Sequence, residues 1–122
     1  MPRAMVVDDS RAIRLILSRT LVAMGFDVTQ AGNGREALEA LQRTGPVEFA
    51  LVDWNMPEVT GIEFVERVRA LPDFSGMRLI MVTTETEVEQ VARALEAGAD
   101  EYIMKPFTRD AVEDKLRLLG VV

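Results

Sequence analysis

The chain has 122 residues, the usual size of one domain, and its net charge of −6 comes with basic residues spread singly along the sequence. The absence of a Lys/Arg cluster argues against nucleic acid as a direct partner. Cysteine and histidine are both absent, which excludes disulfides, thiolate and imidazole metal sites, and Ser-His or Cys-His catalysis.

Short apolar runs alternate five times with longer amphipathic segments along the chain, which predicts an α/β domain with a parallel sheet. The predicted strands are residues 4–7, 27–31, 49–52, 79–82 and 102–104. Apolar residues recur at helical spacing between the strands, as at Ile13, Ile16 and Leu17 in the first helix or at Leu95 in the fourth. Capping boxes mark three helix starts: Asn33 with Glu36, Thr60 with Glu63 and Thr86 with Glu89. Gly25 and Gly98 are placed to end two helices.

The strands differ in polarity, and the difference predicts their order. The first, third and fourth are continuously apolar, whereas the second and fifth carry polar residues and are therefore expected at the edges. With right-handed crossovers, this gives a single (βα)5 flavodoxin-like domain with a five-stranded sheet of order 2-1-3-4-5 and helices on both faces. Ligands in such sheets bind beyond the carboxyl ends of strands one and three.

The carboxyl ends of four predicted strands all deliver polar groups: Asp8 and Asp9 from the first, Asp53 from the third, Thr83 from the fourth and Lys105 from the fifth. Three crowded carboxylates repel one another unless a cation compensates. Mg²⁺ suits this role, and a backbone carbonyl after Asp53 could supply another ligand. Thr83 and Lys105 can then donate to phosphoryl oxygens. The set predicts a phosphoryl site in which Asp53 is the nucleophile.

Each of these residues also has an ordinary structural interpretation. Asp9 or Ser10 could cap the first helix, and Asp53 could begin a turn. Thr83 alone could be a strand-end hydroxyl, and Lys105 alone a solvated surface residue. The combination favours the functional interpretation, because four separate strands place a suitable group at the same edge.

Four segments of the sequence resemble the signatures of the receiver domain of two-component response regulators. They are residues 7–10 (VDDS), 53–57 (DWNMP), 83–85 (TTE) and 98–107 (GADEYIMKPF). The resemblance extends over essentially the full length, which implies one receiver domain at 1–122 with no output domain. It is closest to the single-domain chemotaxis type.

The resemblance implies that Asp53 accepts a phosphoryl group from a phosphohistidine on a sensor histidine kinase of the chemotaxis type. It further implies that Mg²⁺ is bound by Asp9, Asp53 and the backbone carbonyl of Asn55. Asp8 would hold metal-bound water or coordinate the ion directly. The chain would thus be a phospho-accepting signalling module, catalysing only its own phosphorylation and dephosphorylation.

The roles of the remaining site residues also follow from the resemblance. Thr83 and Lys105 would bind the phosphoryl group, and the Lys105–Pro106 peptide bond would be cis. Signalling would turn the Thr83 hydroxyl toward the phosphoryl group and rotate Tyr102 inward. Taken alone, a tyrosine on an edge strand is more often a packing or surface residue, but the place of Tyr102 three residues before Lys105 favours the switch role.

Two further positions are those at which the family tunes phosphoryl hydrolysis, Asn55 and Glu85. Both match the chemotaxis type, so we expect a phosphoaspartate that lasts seconds to minutes. Thr84 stands where the family usually has a smaller alanine, and we expect it to narrow the approach to Asp53.

Three functions can be compared for these residues, and two of them are compatible with the whole set. The leading one is a monomeric, phosphorylation-switched binding module, whose partner, such as the flagellar motor switch, binds the face built from the fourth helix, fifth strand and fifth helix. The second is a phosphorelay intermediate or phosphate sink that passes the group to a histidine phosphotransfer protein. The third, a phosphohydrolase with an aspartyl nucleophile, is disfavoured, because it needs a second acid at the position of Asn55, whose amide cannot transfer a proton. No run is long enough for a membrane span or signal peptide, so we expect a cytoplasmic protein with no membrane partner.

Overall fold

A computed structural model describes residues 2–54, 56, 59–84 and 88–121, with the backbone alone for 88–90. In this part of the chain, strands and helices alternate as the sequence predicts. They are β1 (Arg3–Val7), α1 (Arg11–Ala23), β2 (Asp27–Ala31), α2 (Gly34–Thr44), β3 (Phe49–Asp53), α3 (Gly61–Arg69), a 3₁₀ turn (Pro72–Phe74), β4 (Arg78–Thr84), α4 (Val88–Ala97), β5 (Glu101–Lys105) and α5 (Arg109–Leu118).

The five strands form one parallel sheet of order β2-β1-β3-β4-β5. The predicted flavodoxin-like topology is therefore confirmed, with β2 and β5 at the edges. All residues of β3 are buried, whereas β2 and β5 are largely half-exposed. Four of the strands extend one or two residues beyond their predicted ends, so Asp53, Thr83 and Lys105 stand within strands rather than after them.

Apolar side chains cover the sheet on both faces and hold its carboxyl edge in place. On one face, α1 and α5 pack through Leu17, Leu21, Val112 and Leu116. On the other, α2, α3 and α4 pack through a second cluster that includes Phe64. Each fully buried side chain of this size contributes roughly 1.5 to 3 kcal/mol. The sheet edge that carries the polar groups therefore rests on a rigid support.

The helix ends agree with the capping signals wherever the structure describes them. Asn33 accepts from the Glu36 amide at 2.8 Å and Thr60 from the Glu63 amide at 3.2 Å. The predicted Thr86–Glu89 box lies outside the residues whose side chains are described. Gly25 and Gly98 have φ angles of 97° and 125°.

Two apolar residues of the helical patterns face solvent instead of the core: Ile16 is 53% exposed and Leu95 is 42% exposed. The apolar stripes of α1 and α4 are therefore wider than the surfaces that these helices bury. Among the helices described, none has the length and apolar character needed to cross a membrane.

Candidate functional site

Asp8, Asp9 and Asp53 come together at the carboxyl edge of the sheet. Carboxylate oxygens from the three lie within 4.8 Å of one another. Asp8 directly follows β1 and Asp53 ends β3, and these strands are neighbours in the sheet. Asp8 and Asp53 are buried, whereas Asp9 is exposed. The arrangement offers oxygen ligands of the kind that a hard divalent cation prefers.

The hydrogen-bonding capacity of the Asp8 carboxylate is only partly satisfied by its neighbours. Its Oδ1 accepts the Ser10 amide at 2.8 Å, while its Oδ2 is buried and has no hydrogen-bond partner within the described structure. Burial raises the pKa of Asp8, against the lowering effects of the Ser10 amide and the Lys105 ammonium. Since a buried polar atom without a partner is costly, this oxygen is suited to a cation.

Ser10 resolves one of the alternatives that the sequence leaves open. Its backbone is extended, and its hydroxyl accepts the Ile13 amide at 3.3 Å as the N-cap of α1. Ser10 therefore caps the helix, and the Asp9 carboxylate remains with the acidic group.

Lys105 supplies the positive charge of the site. Its Nζ lies 3.3 Å from Asp53 Oδ1 and 3.7 Å from Asp8 Oδ2. The side chain therefore reaches from the edge strand β5 across β4 to the acids of β3 and β1. The peptide bond from Lys105 to Pro106 is cis, the isomer that the resemblance implies.

Thr83 and Tyr102 occupy neighbouring strands near this group. Thr83 is fully buried on β4, and its hydroxyl donates to the Thr84 carbonyl oxygen at 3.2 Å. Tyr102 is half-buried on β5, and the Lys115 Nζ lies 4.7 Å from its ring centroid. Tyr102 pairs with Met81 in the sheet, two residues before Thr83.

Two predicted site residues, Asn55 and Glu85, fall outside the described residues, as does Pro57 of the 53–57 signature. The predicted metal ligand at the Asn55 carbonyl and the two hydrolysis-tuning positions therefore stay predictions. Of the other predicted residues, the structure brings Asp8, Asp9, Asp53 and Lys105 into one cluster.

An open, mainly apolar cavity of about 500 Å³ lies beside this cluster. Its lining comes from the start of α1, the end of β4 and the segment after β5: Ile13, Ile16, Thr84, Lys105, Pro106 and Phe107. The sequence does not predict this cavity, because isoleucines at helical spacing normally indicate core packing. Thr84 lines the cavity together with Lys105, and the expectation that Thr84 narrows the approach to Asp53 stays a prediction.

Arg14 is a second feature that sequence reasoning missed. Its Nη1 donates to the backbone carbonyl oxygen of Asp8 at 2.7 Å and so fastens α1 to the loop that carries the two acids. No local pattern distinguishes Arg14 from the other arginines of α1, because its partner is fixed only by the packing of the helix on β1.

Comparison with known proteins agrees with this geometry. Residues 4–117 match the model of the response regulator receiver domain. The chain is 44% identical over 115 residues to the chemotaxis protein CheY homolog of Campylobacter jejuni, covering 93% of this chain and 88% of the relative. It is 41% identical over 118 residues to the chemotaxis protein CheY1 of Helicobacter pylori, covering 96% and 95%.

The fold comparison gives the same result. The structure of chemotaxis protein CheY4 of Vibrio cholerae aligns with a TM-score of 0.90 at 36% identity, over 97% of this chain and 98% of that one. The chain therefore belongs to the response regulator receiver domain family, with CheY-like relatives from chemotaxis.

Proposed function

We propose that this chain is a phospho-accepting switch of two-component signalling, in which Asp53 takes a phosphoryl group from a phosphohistidine on a sensor histidine kinase. The observation that carries the proposal is the environment of Asp53. Its carboxylate is buried, lies 3.3 Å from the Lys105 ammonium and stands within one cluster with Asp8 and Asp9. Such a group can act as a nucleophile while its charge is balanced.

The transfer is a substitution at phosphorus. A carboxylate oxygen of Asp53 forms the new P–O bond as the P–N bond of the phosphohistidine breaks, and the electron pair stays on the departing imidazole nitrogen, which is protonated. The Lys105 ammonium and the Thr83 hydroxyl can donate to the phosphoryl oxygens, where negative charge must be stabilised. The product is an acyl phosphate on Asp53.

The three acids fit a Mg²⁺ ion, since one of them offers a buried oxygen without a hydrogen-bond partner in the described structure. Asp8, Asp9 and Asp53 would hold the ion, together with the Asn55 carbonyl. When bound, Mg²⁺ supplies charge neutralisation for the acids and for the incoming phosphoryl group. Asn55 and Glu85 would set the rate at which the acyl phosphate hydrolyses.

After phosphorylation, Thr83 and Tyr102 would change position. Another protein would then bind the face formed by α4, β5 and α5. The relatives named as chemotaxis proteins support a chemotaxis role. We propose the flagellar motor switch as the partner in that role. A phosphorelay role would use the same residues and would differ in the partner and in a longer-lived phosphoaspartate.

Replacing Asp53 tests the proposal directly. We expect the native protein to take up label from a phosphorylated histidine kinase in the presence of Mg²⁺, and Asp53→Asn to take up none, because an amide oxygen is a far weaker nucleophile than a carboxylate. Labelling is followed by gel autoradiography and by the base lability of an acyl phosphate.

The matched control is Asp27→Asn, the same change at an exposed acid at the start of β2. It should label like the native protein. Label retained by Asp53→Asn would refute the assignment of the site.

A further inference from the structure

Lys115, Glu101 and Tyr102 form a closed cluster where α5 packs beside β5. The Lys115 Nζ lies 4.7 Å from the centroid of the Tyr102 ring and 3.2 Å from Glu101 Oε1. The same Glu101 oxygen accepts the backbone amide of Tyr102 at 3.0 Å. The Lys115 ammonium thus contacts both the Tyr102 ring and the Glu101 carboxylate, which itself accepts the backbone amide of Tyr102.

The position of β5 explains why this cluster forms. At the edge of the sheet, Tyr102 directs its amide to the Glu101 carboxylate. The side chains of Lys115 and Glu101 are 29% and 24% exposed, so their charges are partly desolvated. A cation over an aromatic face is worth more in such a place than on open surface.

We propose that Lys115 is a positioning residue for Tyr102: its ammonium holds the ring in the place seen here and opposes rotation toward the interior. This inference rests on the switch role of Tyr102 in the proposed function. The Tyr102 ring is partly buried and packs at the margin of the core cluster. Further inward rotation toward Thr83 would carry the ring away from the ammonium, because the ion pair with Glu101 holds Lys115 at the sheet edge. The contact then exists in only one of two states and biases the equilibrium between them.

Three substitutions separate positioning by charge from simple packing. Lys115→Met keeps an unbranched apolar stem over the ring but removes the cation. Lys115→Arg keeps a cation and is the conservative variant. Glu101→Gln keeps an oxygen for the Tyr102 amide but removes the charge that ties Lys115 in place.

The charge control is Arg117→Met, also on α5. Arg117 forms ion pairs with Glu113 and Asp114 of its own helix. The substitution makes the same change in net charge as Lys115→Met while leaving the Lys115 cluster intact.

Tyr102 is the only tyrosine of the chain, so ring-¹³C-tyrosine labelling gives one set of NMR signals that reports its position. Beryllofluoride, a phosphoryl mimic, is titrated at saturating Mg²⁺, and the half-saturating concentration is measured. For Lys115→Met we expect it to fall about two- to fivefold, as the loss of a cation–π contact would favour the inward state. Glu101→Gln should also lower the half-saturating concentration of beryllofluoride. Lys115→Arg should keep it at the native value.

Two results would overturn the inference, and they are distinguishable. If Lys115→Met and Arg117→Met change the half-saturating concentration equally, Lys115 acts only through general charge and does not position Tyr102. If the Tyr102 signals of the native protein do not respond to Mg²⁺ with beryllofluoride, the proposed switch role of Tyr102 is wrong and the inference falls with it.

Discussion

Asp8 links the stability of the protein to pH. Its carboxyl is buried, and burial raises its pKa, so the folded state binds the proton more tightly than the unfolded state does. Below the ordinary pKa the group is protonated in both states and adds no pH dependence. As pH rises through the raised folded value, the free energy of unfolding falls, because the ionised form is less tolerated in the fold than in water.

Asp8→Asn should remove this loss in metal-free protein. With EDTA present, we expect the stability of the variant relative to the native protein to increase from pH 4 to pH 7. The increase is on the order of 1 kcal/mol for each tenfold difference in proton affinity between the folded and unfolded states. Urea unfolding at several pH values, followed by the fluorescence of the single tryptophan, Trp54, measures it. With Asp27→Asn as the exposed control, a pH-independent difference for Asp8→Asn would contradict the prediction.

At the scale of elements, one guanidinium joins α3 to the end of α4 and the start of β4. Arg69 Nε donates to the Gly98 carbonyl at 2.9 Å, and Nη2 donates to Asp100 Oδ2 at 2.8 Å. The same carboxylate oxygen accepts the Leu79 amide at 2.8 Å. A Cβ on Gly98 would lie 2.6 Å from Arg69 Cγ, and the φ of Gly98 is +125°. Gly98 therefore serves both the left-handed turn and the close approach of the arginine.

A series of three glycine-to-alanine variants separates the cost of the left-handed φ from the cost of the steric clash with Arg69. Gly98→Ala should lower the free energy of unfolding by about 2 to 4 kcal/mol, since it adds a clash to a strained φ. Gly25→Ala should cost about 1 to 2 kcal/mol, because its φ is +97° but its surroundings are open. Gly76→Ala, with open surroundings and no left-handed φ, is the control. Urea unfolding measures the series, and a smaller cost at Gly98 than at Gly25 would contradict it.

The elements also show what the sequence could predict and what it could not. The sheet order was predictable because β2 and β5 carry polar residues that central strands lack. The strand ends were misplaced because Asp53 and Lys105 break the apolar run while the backbone continues to pair. The 3₁₀ turn at Pro72–Phe74 and the contacts of Arg69 were missed, since packing between distant segments determines them.

The grouping of the polar residues at the candidate site could be predicted from the sequence, unlike the contacts of Arg69. The reason is that the carboxyl ends of parallel strands must share one edge of the sheet. Asp8, Asp53 and Lys105 could therefore be brought together from strand order alone. The cavity beside them could not, because the exposure of Ile16 depends on how α1 lies on the sheet.

For the whole molecule, the acidic group exists only when the sheet is formed, since its members come from segments 45 residues apart at Asp8 and Asp53. An ion held by this group binds the folded state and not the unfolded one. Mg²⁺ at a hundred times its dissociation constant should therefore stabilise the protein by about 2.7 kcal/mol. Urea unfolding with Mg²⁺, against a sodium salt of equal ionic strength, measures the gain. We expect Asp53→Asn to lose most of it, and an equal gain in both proteins would show that the ion binds elsewhere.

Lys105 stands on an edge strand, whereas the acids that it contacts lie at the carboxyl ends of inner strands, Asp53 at the end of β3 and Asp8 directly after β1. Edge strands open locally at a lower free energy than the centre of a sheet, without unfolding of the whole protein. Each such opening of β5 would withdraw the ammonium and leave the carboxylates in place, a site that repels an incoming phosphoryl group. Under the proposed function, the rate of phosphoryl transfer to Asp53 would then depend on the local opening of β5 rather than on the stability of the whole fold.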